Sequence, residues 1–193
     1  MRAVSRFPTV QRLLDLPQDL AARLQAIQDK AGFVPNIFLA LGHRPAQLRL
    51  FMDSHDEVMA ERGGLSKADK ELIVVATSGL NRCLYCVVAH GALLRIYSKQ
   101  RTLADAVALD HRRAGLSGRQ TAMLDYACLL ARTPEAVGEE ETRRLREAGF
   151  GQEDVWDIAS VTAFFAMSNR LATAMELQPN EQFYTLGRVD RKT

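Results

Sequence analysis

The chain, 193 residues long, reads as an all-α helical bundle. Three observations predict this. Apolar residues recur at helical spacing along most of the sequence, capping signals of the Ser-x-x-Asp and Ser-x-x-Gln kind precede several of those stretches, and alternation of period two is absent. One run, Leu72 to Ala76, is continuously apolar and ambiguous by pattern. It spans only five residues behind a capping signal, so helix is the expectation there.

Taken in order, Pro17 opens a stretch from Asp19 to Lys30 with Leu20, Leu24 and Ile27 on one face and Gly32 as its stop. Gly32-Phe33-Val34-Pro35-Asn36 forms a turn that restarts a short helix with Pro35 at its first position. Pro45 begins a helix that carries Leu48, Phe51, Met52, His55 and Met59 along one side, closed by Gly63-Gly64. Ser66-Lys67-Ala68-Asp69 caps the next helix, Glu71 to Leu80, and Thr102-Leu103-Ala104-Asp105 and Ser117-Gly118-Arg119-Gln120 are expected to be two more boxes. A charged, solvated helix follows Thr133-Pro134 and ends near Gly149. The last long helix runs from about Gln152 to Leu177, with Val155, Ile158, Ala159, Thr162, Phe165 and Ala166 inward. Gly64-Leu65 and Gly149-Phe150 each precede a helical stretch, a pattern suggestive of a duplicated helical unit, although the second copy lacks cysteines. From Gln178 to Thr193 the chain is expected to be an extended strap.

Length and a 47% hydrophobic content are sufficient for one domain, 1–193, with a sizeable core and no need of disulfide staples. With 25 basic and 23 acidic residues the charge is too balanced for nucleic acid or an anionic membrane surface. No uncharged apolar run approaches ~18 residues, and Met1 to Leu14 has no continuous apolar stretch, so a cytoplasmic location is expected. Phe51, Met52, Phe164, Phe165 and Met167 form apolar faces suited to core or to a subunit interface, core being the simpler assignment.

One constellation carries chemistry: Glu71, then Cys83-Leu84-Tyr85-Cys86, then His90. If a helix begins near Cys83, Cys86 and His90 lie one turn apart on a shared face. Cys83 then meets the unpaired N–H groups of a helix N-terminus, which lower a thiol pKa towards neutrality. A carboxylate on the preceding helix completes a nucleophile, base and orienter set. Two thiols three apart also close into a disulfide once one is oxidised. Other readings use the same residues. Zinc would need a fourth ligand from His43, His55, His111 or Cys128, none with supporting spacing. The thiols and His90 would otherwise be packed core groups, and Glu71 a solvated helix residue, although its apolar neighbours Leu72, Ile73 and Val74 argue that it has a partner. A c-type haem site would need His where Val87 stands, and no strand precedes Cys83 as a thioredoxin-like site requires. Cys128, in an apolar run, is expected to be buried packing.

The set Glu71…Cys83-x-x-Cys86-x-x-x-His90 resembles the alkylhydroperoxidase D-like proteins of the carboxymuconolactone decarboxylase superfamily. Gly32-Phe33-Val34-Pro35-Asn36 and the segment from Asn180 to Arg188 are similar to pieces of its uncharacterised peroxidase-related branch. The resemblance spans about residues 30 to 188, with the redox motif within 66–98. It implies a bundle of the alkylhydroperoxidase D-like type, a cofactor-free and metal-free thiol peroxidase, and assembly into trimers or hexamers. It also implies that Cys86 is the peroxidatic thiol, Cys83 the resolving thiol, and His90 a proton relay backed by Glu71. An external dithiol reductant, lipoyl-type in the founding members, would restore the pair. Those members carry a second His just before the peroxidatic cysteine, and here that place is Tyr85, a poor base near neutral pH but a hydrogen-bond donor. Apolar Leu84, Val87, Val88 and Leu93 suit an organic hydroperoxide or simply the core. The alternative reading is a redox-sensing or dithiol-exchange protein without sustained peroxide turnover.

Overall fold

A computed structural model of the chain describes residues 3–188. The last part of the expected strap, 189–193, and residues 1 and 2 lie outside the described residues. Among the described residues there are ten α-helices, three short 3-10 turns and no strand. The helices are α1 (Gln18–Ala31), α2 (Asn36–Leu41), α3 (Pro45–Met59), α4 (Lys67–Leu80), α5 (Leu84–Ser98), α6 (Leu103–Asp110), α7 (Gly118–Arg132), α8 (Glu139–Glu147), α9 (Gln152–Ala174) and α10 (Glu181–Thr185). None is long and apolar enough to cross a membrane.

Helix α4 is the axis of the bundle. Every residue from Asp69 to Ser78 is buried, and α5, α6, α7 and α9 pack around it. A helix buried on all sides has no solvent face, which explains why the run Leu72 to Ala76 shows no periodicity. Its start is fixed by the Ser66 box: Asp69 N–H donates to Ser66 Oγ and Ser66 N–H donates to Asp69 Oδ2, both at 3.1 Å. Ser117 and Gln120 cap α7 in the same reciprocal way. The expected third box does not form. Thr102 caps α6 without its side chain, because the Asp105 carboxylate is held by the Arg188 guanidinium at 2.7 and 2.8 Å. Pro35 is the N-cap of α2 rather than its first residue, with ψ of 131° outside the helical range.

Lys70 is buried inside this bundle, 1% exposed. Its ammonium donates to the carbonyls of Val58 (2.9 Å) and Ala60 (2.7 Å) and to Asp157 Oδ2 (3.0 Å). The three acceptors use all its protons, and they tie the end of α3 and the start of α9 to α4.

The tail differs from an extended strap. It folds a short helix, α10, and buries Phe183 edge-on against Phe33 with ring centroids 5.0 Å apart. Asn180 accepts from Asn36 N–H (2.8 Å) and donates to Val34 O (2.9 Å), while the Asn36 amide donates to Gln178 O (2.8 Å). Arg95 of α5 donates to Phe183 O (2.8 Å) within α10 and to Leu186 O (2.9 Å) at its end. Gly187, at φ +74°, lies where a Cβ would come within 2.8 Å of Arg95 Cβ, so the chain closes over α5 only with glycine there. The helical stretches after the two glycine signals also differ in length. After Gly64 come α4 and α5, of 14 and 15 residues, and after Gly149 come α9 and α10, of 23 and 5.

Candidate functional site

The site forms where α4 turns into α5. Asn81 ends α4, Arg82 takes the left-handed conformation (φ +52°), and Cys83 becomes the N-cap of α5. The Cys83 N–H donates back to Ser78 O at 3.0 Å. Such a short reversal lays the first turn of α5 against the last turn of α4. Cys83 therefore sits at a helix N-terminus, as the spacing predicts, and Cys86 in the turn that follows.

Both sulfurs are buried, at 2% and 1% exposure. The Cys86 thiol donates to Cys83, and that bond is the main reason the Cys83 pKa falls to about 7. Burial works against this charge, while Thr173 and His90 favour it. Cys86 is correspondingly pushed well above an ordinary thiol, by its hydrogen bond to Cys83, burial and the charge of its neighbour. The hydroxyls of Ser168 and Ser78 pull it the other way. Of the two thiols, Cys83 is therefore the one that ionises more readily. Behind the pair, Ser78 Oγ bonds Asn169 Oδ1 at 3.0 Å, and the Asn169 amide nitrogen is buried without a partner.

His90 lies one turn beyond Cys86, and its Nδ1 is 2.8 Å from Glu71 Oε2. Both side chains are nearly closed from solvent, at 12% and 3% exposure. Glu71 is thus no solvated helix residue; its carboxylate is spent on the imidazole. The His90 ring packs edge-on against Phe165 at 4.7 Å. Tyr85 faces elsewhere: its hydroxyl accepts from Ile37 N–H at 3.2 Å, at the start of α2, and burial raises its pKa. The phenol stands between the cysteines in sequence but not in the relay.

One imidazole was missed as a site residue. His55 of α3 has its ring 6.4 Å from that of His90, among Phe164 and Phe165, with Nδ1 3.2 Å from Asp56. Its only sequence signal is a histidine on the apolar face of an amphipathic helix. Of the other candidate ligands, His43 bonds Ala40 O and His111 bonds Asp125. Among the described residues no group of three or more His, Cys, Asp or Glu side chains is placed to hold a metal ion. Cys128, expected to be buried packing, is only partly buried, with its sulfur 3.9 Å from His111 Nδ1. Of the apolar residues near the thiols, Leu84 is exposed while Val87, Val88 and Leu93 are half-buried. Phe51, Met52, Phe164 and Phe165 are core, and Met167 is exposed.

This arrangement has counterparts. The sequence profile of the carboxymuconolactone decarboxylase family matches residues 45–109, which hold α3 to α6 and the whole Glu71, Cys83, Cys86 and His90 set. No curated protein matches the chain. Among solved structures it is similar to one from Ralstonia eutropha JMP134, described as an alkylhydroperoxidase AhpD core and uncharacterized peroxidase-related protein. The two share 50% identity with a TM-score of 0.95, over 98% of this chain and 99% of the other. An uncharacterized peroxidase-related protein from Silicibacter sp. TM1040 shares 34% identity with a TM-score of 0.88, over 97% and 100% of the two chains. The debrominase Bmp8 (apo form) has the same fold at 21% identity and a TM-score of 0.77, over 97% of both chains. With half its residues shared over nearly its full length with the first of these, and with the family profile lying across its dithiol segment, the chain belongs to the alkylhydroperoxidase D-like, carboxymuconolactone decarboxylase superfamily.

Proposed function

We propose that this protein is a cofactor-free thiol peroxidase that reduces organic hydroperoxides with the Cys83/Cys86 dithiol. The observation that carries the reading is a buried thiol pair one helical turn from an imidazole that is itself held by a buried carboxylate, with the Cys83 pKa lowered by its neighbour. Peroxide reduction needs those parts: a thiolate nucleophile, a second thiol to resolve it, and a group that moves protons.

In the proposed cycle the thiolate attacks the distal peroxide oxygen. The O–O bond breaks, the leaving alkoxide takes a proton by way of His90, and the attacking sulfur becomes a sulfenic acid. The second thiol attacks that sulfur, releasing water and closing the Cys83–Cys86 disulfide. An external dithiol reopens it by exchange. The carboxylate of Glu71 holds the imidazole in position and stabilises it when protonated. His55, 28% exposed at its side chain, is placed to pass that proton outward and so to serve in place of the second histidine that Tyr85 displaces.

For Cys86 to attack, as the family resemblance implies, its proton passes to Cys83 along their hydrogen bond, and the Ser78 and Ser168 hydroxyls hold the charge on Cys86. The lowered pKa of Cys83 favours the opposite order, with Cys83 attacking directly. Single-cysteine variants separate these: one turnover with cumene hydroperoxide leaves a trappable sulfenic acid only where the attacking cysteine remains. Exposed Leu84, Met167 and Leu171 support the homo-oligomer that the resemblance implies.

The test is steady-state consumption of cumene hydroperoxide with a dithiol reductant, in wild type, Cys86→Ser and Cys83→Ser. Many turnovers in wild type, lost in the variants, establish the reading. A single oxidation per pair with fully reduced protein at the start refutes it and leaves a redox-sensing or dithiol-exchange protein.

A further inference from the structure

A second thiol cluster lies outside the dithiol site. At Gly79 a Cβ would come within 2.2 Å of Ala108 O, and this close approach draws the end of α6 onto α4. The 3-10 turn that follows, His111–Arg113, then brings His111 to α7. There its Nε2 lies 2.8 Å from Asp125 Oδ1 and its Nδ1 3.9 Å from Cys128 Sγ. Asp125 and Cys128 are three apart in α7, so one face of one helix presents both partners of the imidazole. With Nε2–H donating to the carboxylate, Nδ1 is left as an acceptor facing the thiol. The order is that of a nucleophile, a base and an orienting acid.

The cluster opens on a cleft of about 810 Å3, with apolar Ala76, Leu80 and Leu129 in its lining. Arg112, Arg132 and Arg144 line the same cleft. Arg112 is paired with Asp125 and Arg144 with Glu140. Arg132, one turn beyond Cys128, is paired with no carboxylate among the described residues. Burial and the Asp125 charge push the Cys128 thiol up to about 11, against a smaller opposing pull from Arg132 and Arg112. The thiol therefore rests protonated, and it reacts only if a neighbour removes its proton.

We infer that Cys128, His111 and Asp125 form a second reactive thiol site, independent of the Cys83/Cys86 pair, that exchanges with small disulfides bearing carboxylates. His111 Nδ1 takes the Cys128 proton as the sulfur attacks one sulfur of the disulfide. The new S–S bond to Cys128 forms, the old one breaks, and the released thiolate takes the proton back from His111. Cys128 is oxidised and one sulfur of the small disulfide is reduced. Arg132 selects the anionic partner and supports the developing thiolate.

Reduced protein incubated with oxidised glutathione, then peptide mapping by mass spectrometry, reads each cysteine separately. The Cys128 result therefore stands or falls apart from the dithiol reading. The expected result is a glutathione adduct on Cys128, formed about a hundredfold more slowly in His111→Ala, the lower range of what a positioned base supplies. Asp125→Asn slows it as well and serves if His111→Ala fails to fold. Arg132→Glu slows the reaction with oxidised glutathione but not with neutral bis(2-hydroxyethyl) disulfide. An unmodified Cys128, or equal rates in folded wild type and either His111→Ala or Asp125→Asn, overturns the site. Equal responses of the two disulfides to Arg132→Glu overturn the charge selection.

Discussion

Glu71→Gln isolates the contribution of one charge to the proposed relay. The substitution keeps the volume of the side chain, its 3% exposure and an oxygen able to accept from His90 Nδ1, now 2.8 Å away. What is lost is the negative charge opposite the imidazole. A hydrogen bond to a charged group is worth ~1.5–3 kcal/mol and a neutral one ~0.5–1.5 kcal/mol. The difference, ~1–1.5 kcal/mol, falls on the state in which His90 is protonated, because only there is the charge complemented. At about 1.4 kcal/mol per factor of ten, the oxidation step slows by about five- to tenfold. The assay is single-turnover oxidation of the reduced pair by cumene hydroperoxide, quenched at intervals and followed by counting free thiols. Thermal melting alongside verifies that the variant is folded. A folded Glu71→Gln protein within about twofold of the wild-type rate would refute the role given to the carboxylate. Glu71→Ala should lose more, since it leaves Nδ1 with no acceptor in a nearly closed site.

Cys83 should react with iodoacetamide along a titration centred near pH 7, and Cys86→Ala, which removes the S–H donor, should move that midpoint upward. Since its folded pKa is depressed, the stability this group contributes is complete above its unfolded value and fades as pH falls through about 7, which urea melts across that range will show. Lys70→Met should cost about 3 kcal/mol, because Asp157 and two half-buried carbonyls lose their shared, buried donor; a urea-melt difference below about 1 kcal/mol would contradict the burial argument. Tyr85→Phe should destabilise by about 1 kcal/mol by leaving the Ile37 N–H without its acceptor, measured the same way. Gly79→Ala should lower stability by about 1–3 kcal/mol, since its methyl meets a backbone carbonyl that cannot rotate away.

Much of this architecture was legible because local rules and packing agree. The Ser66 and Ser117 boxes form as their spacing predicts, each with both of its reciprocal bonds. The Thr102 box fails because its acid, Asp105, finds a stronger partner 83 residues away in Arg188, and no local pattern records that. The spacing that puts Cys83 at a helix N-terminus, with Cys86 and His90 one turn apart within that helix, is a short-range relation and so is legible in the sequence. His55 reaches His90, and Ser168 and Asn169 reach Cys86 and Ser78, only through the packing of α3 and α9, so one-dimensional spacing cannot show them. The segments around Pro35 and Asn180 look like two unrelated family fragments in the sequence. In space they are halves of one contact, joined by three hydrogen bonds between the Asn36 and Asn180 side chains and the backbone of Val34, Asn36 and Gln178.

Arg95 gives the order of synthesis a bearing on the dithiol helix. It is buried in α5, 4% exposed, and the groups that accept from its guanidinium are carbonyls 88 and 91 residues further along the chain. During translation α5 emerges with this cation lacking its acceptors. At ~5–20 residues per second, a further ~5–18 s pass before Phe183 and Leu186 have been made. For that interval the helix bearing Cys83, Cys86 and His90 lacks the segment that accepts from Arg95, and its thiols are less covered than in the finished protein. Ribosome-stalled chains ending before Phe183 should accordingly alkylate at Cys86 faster than the released protein.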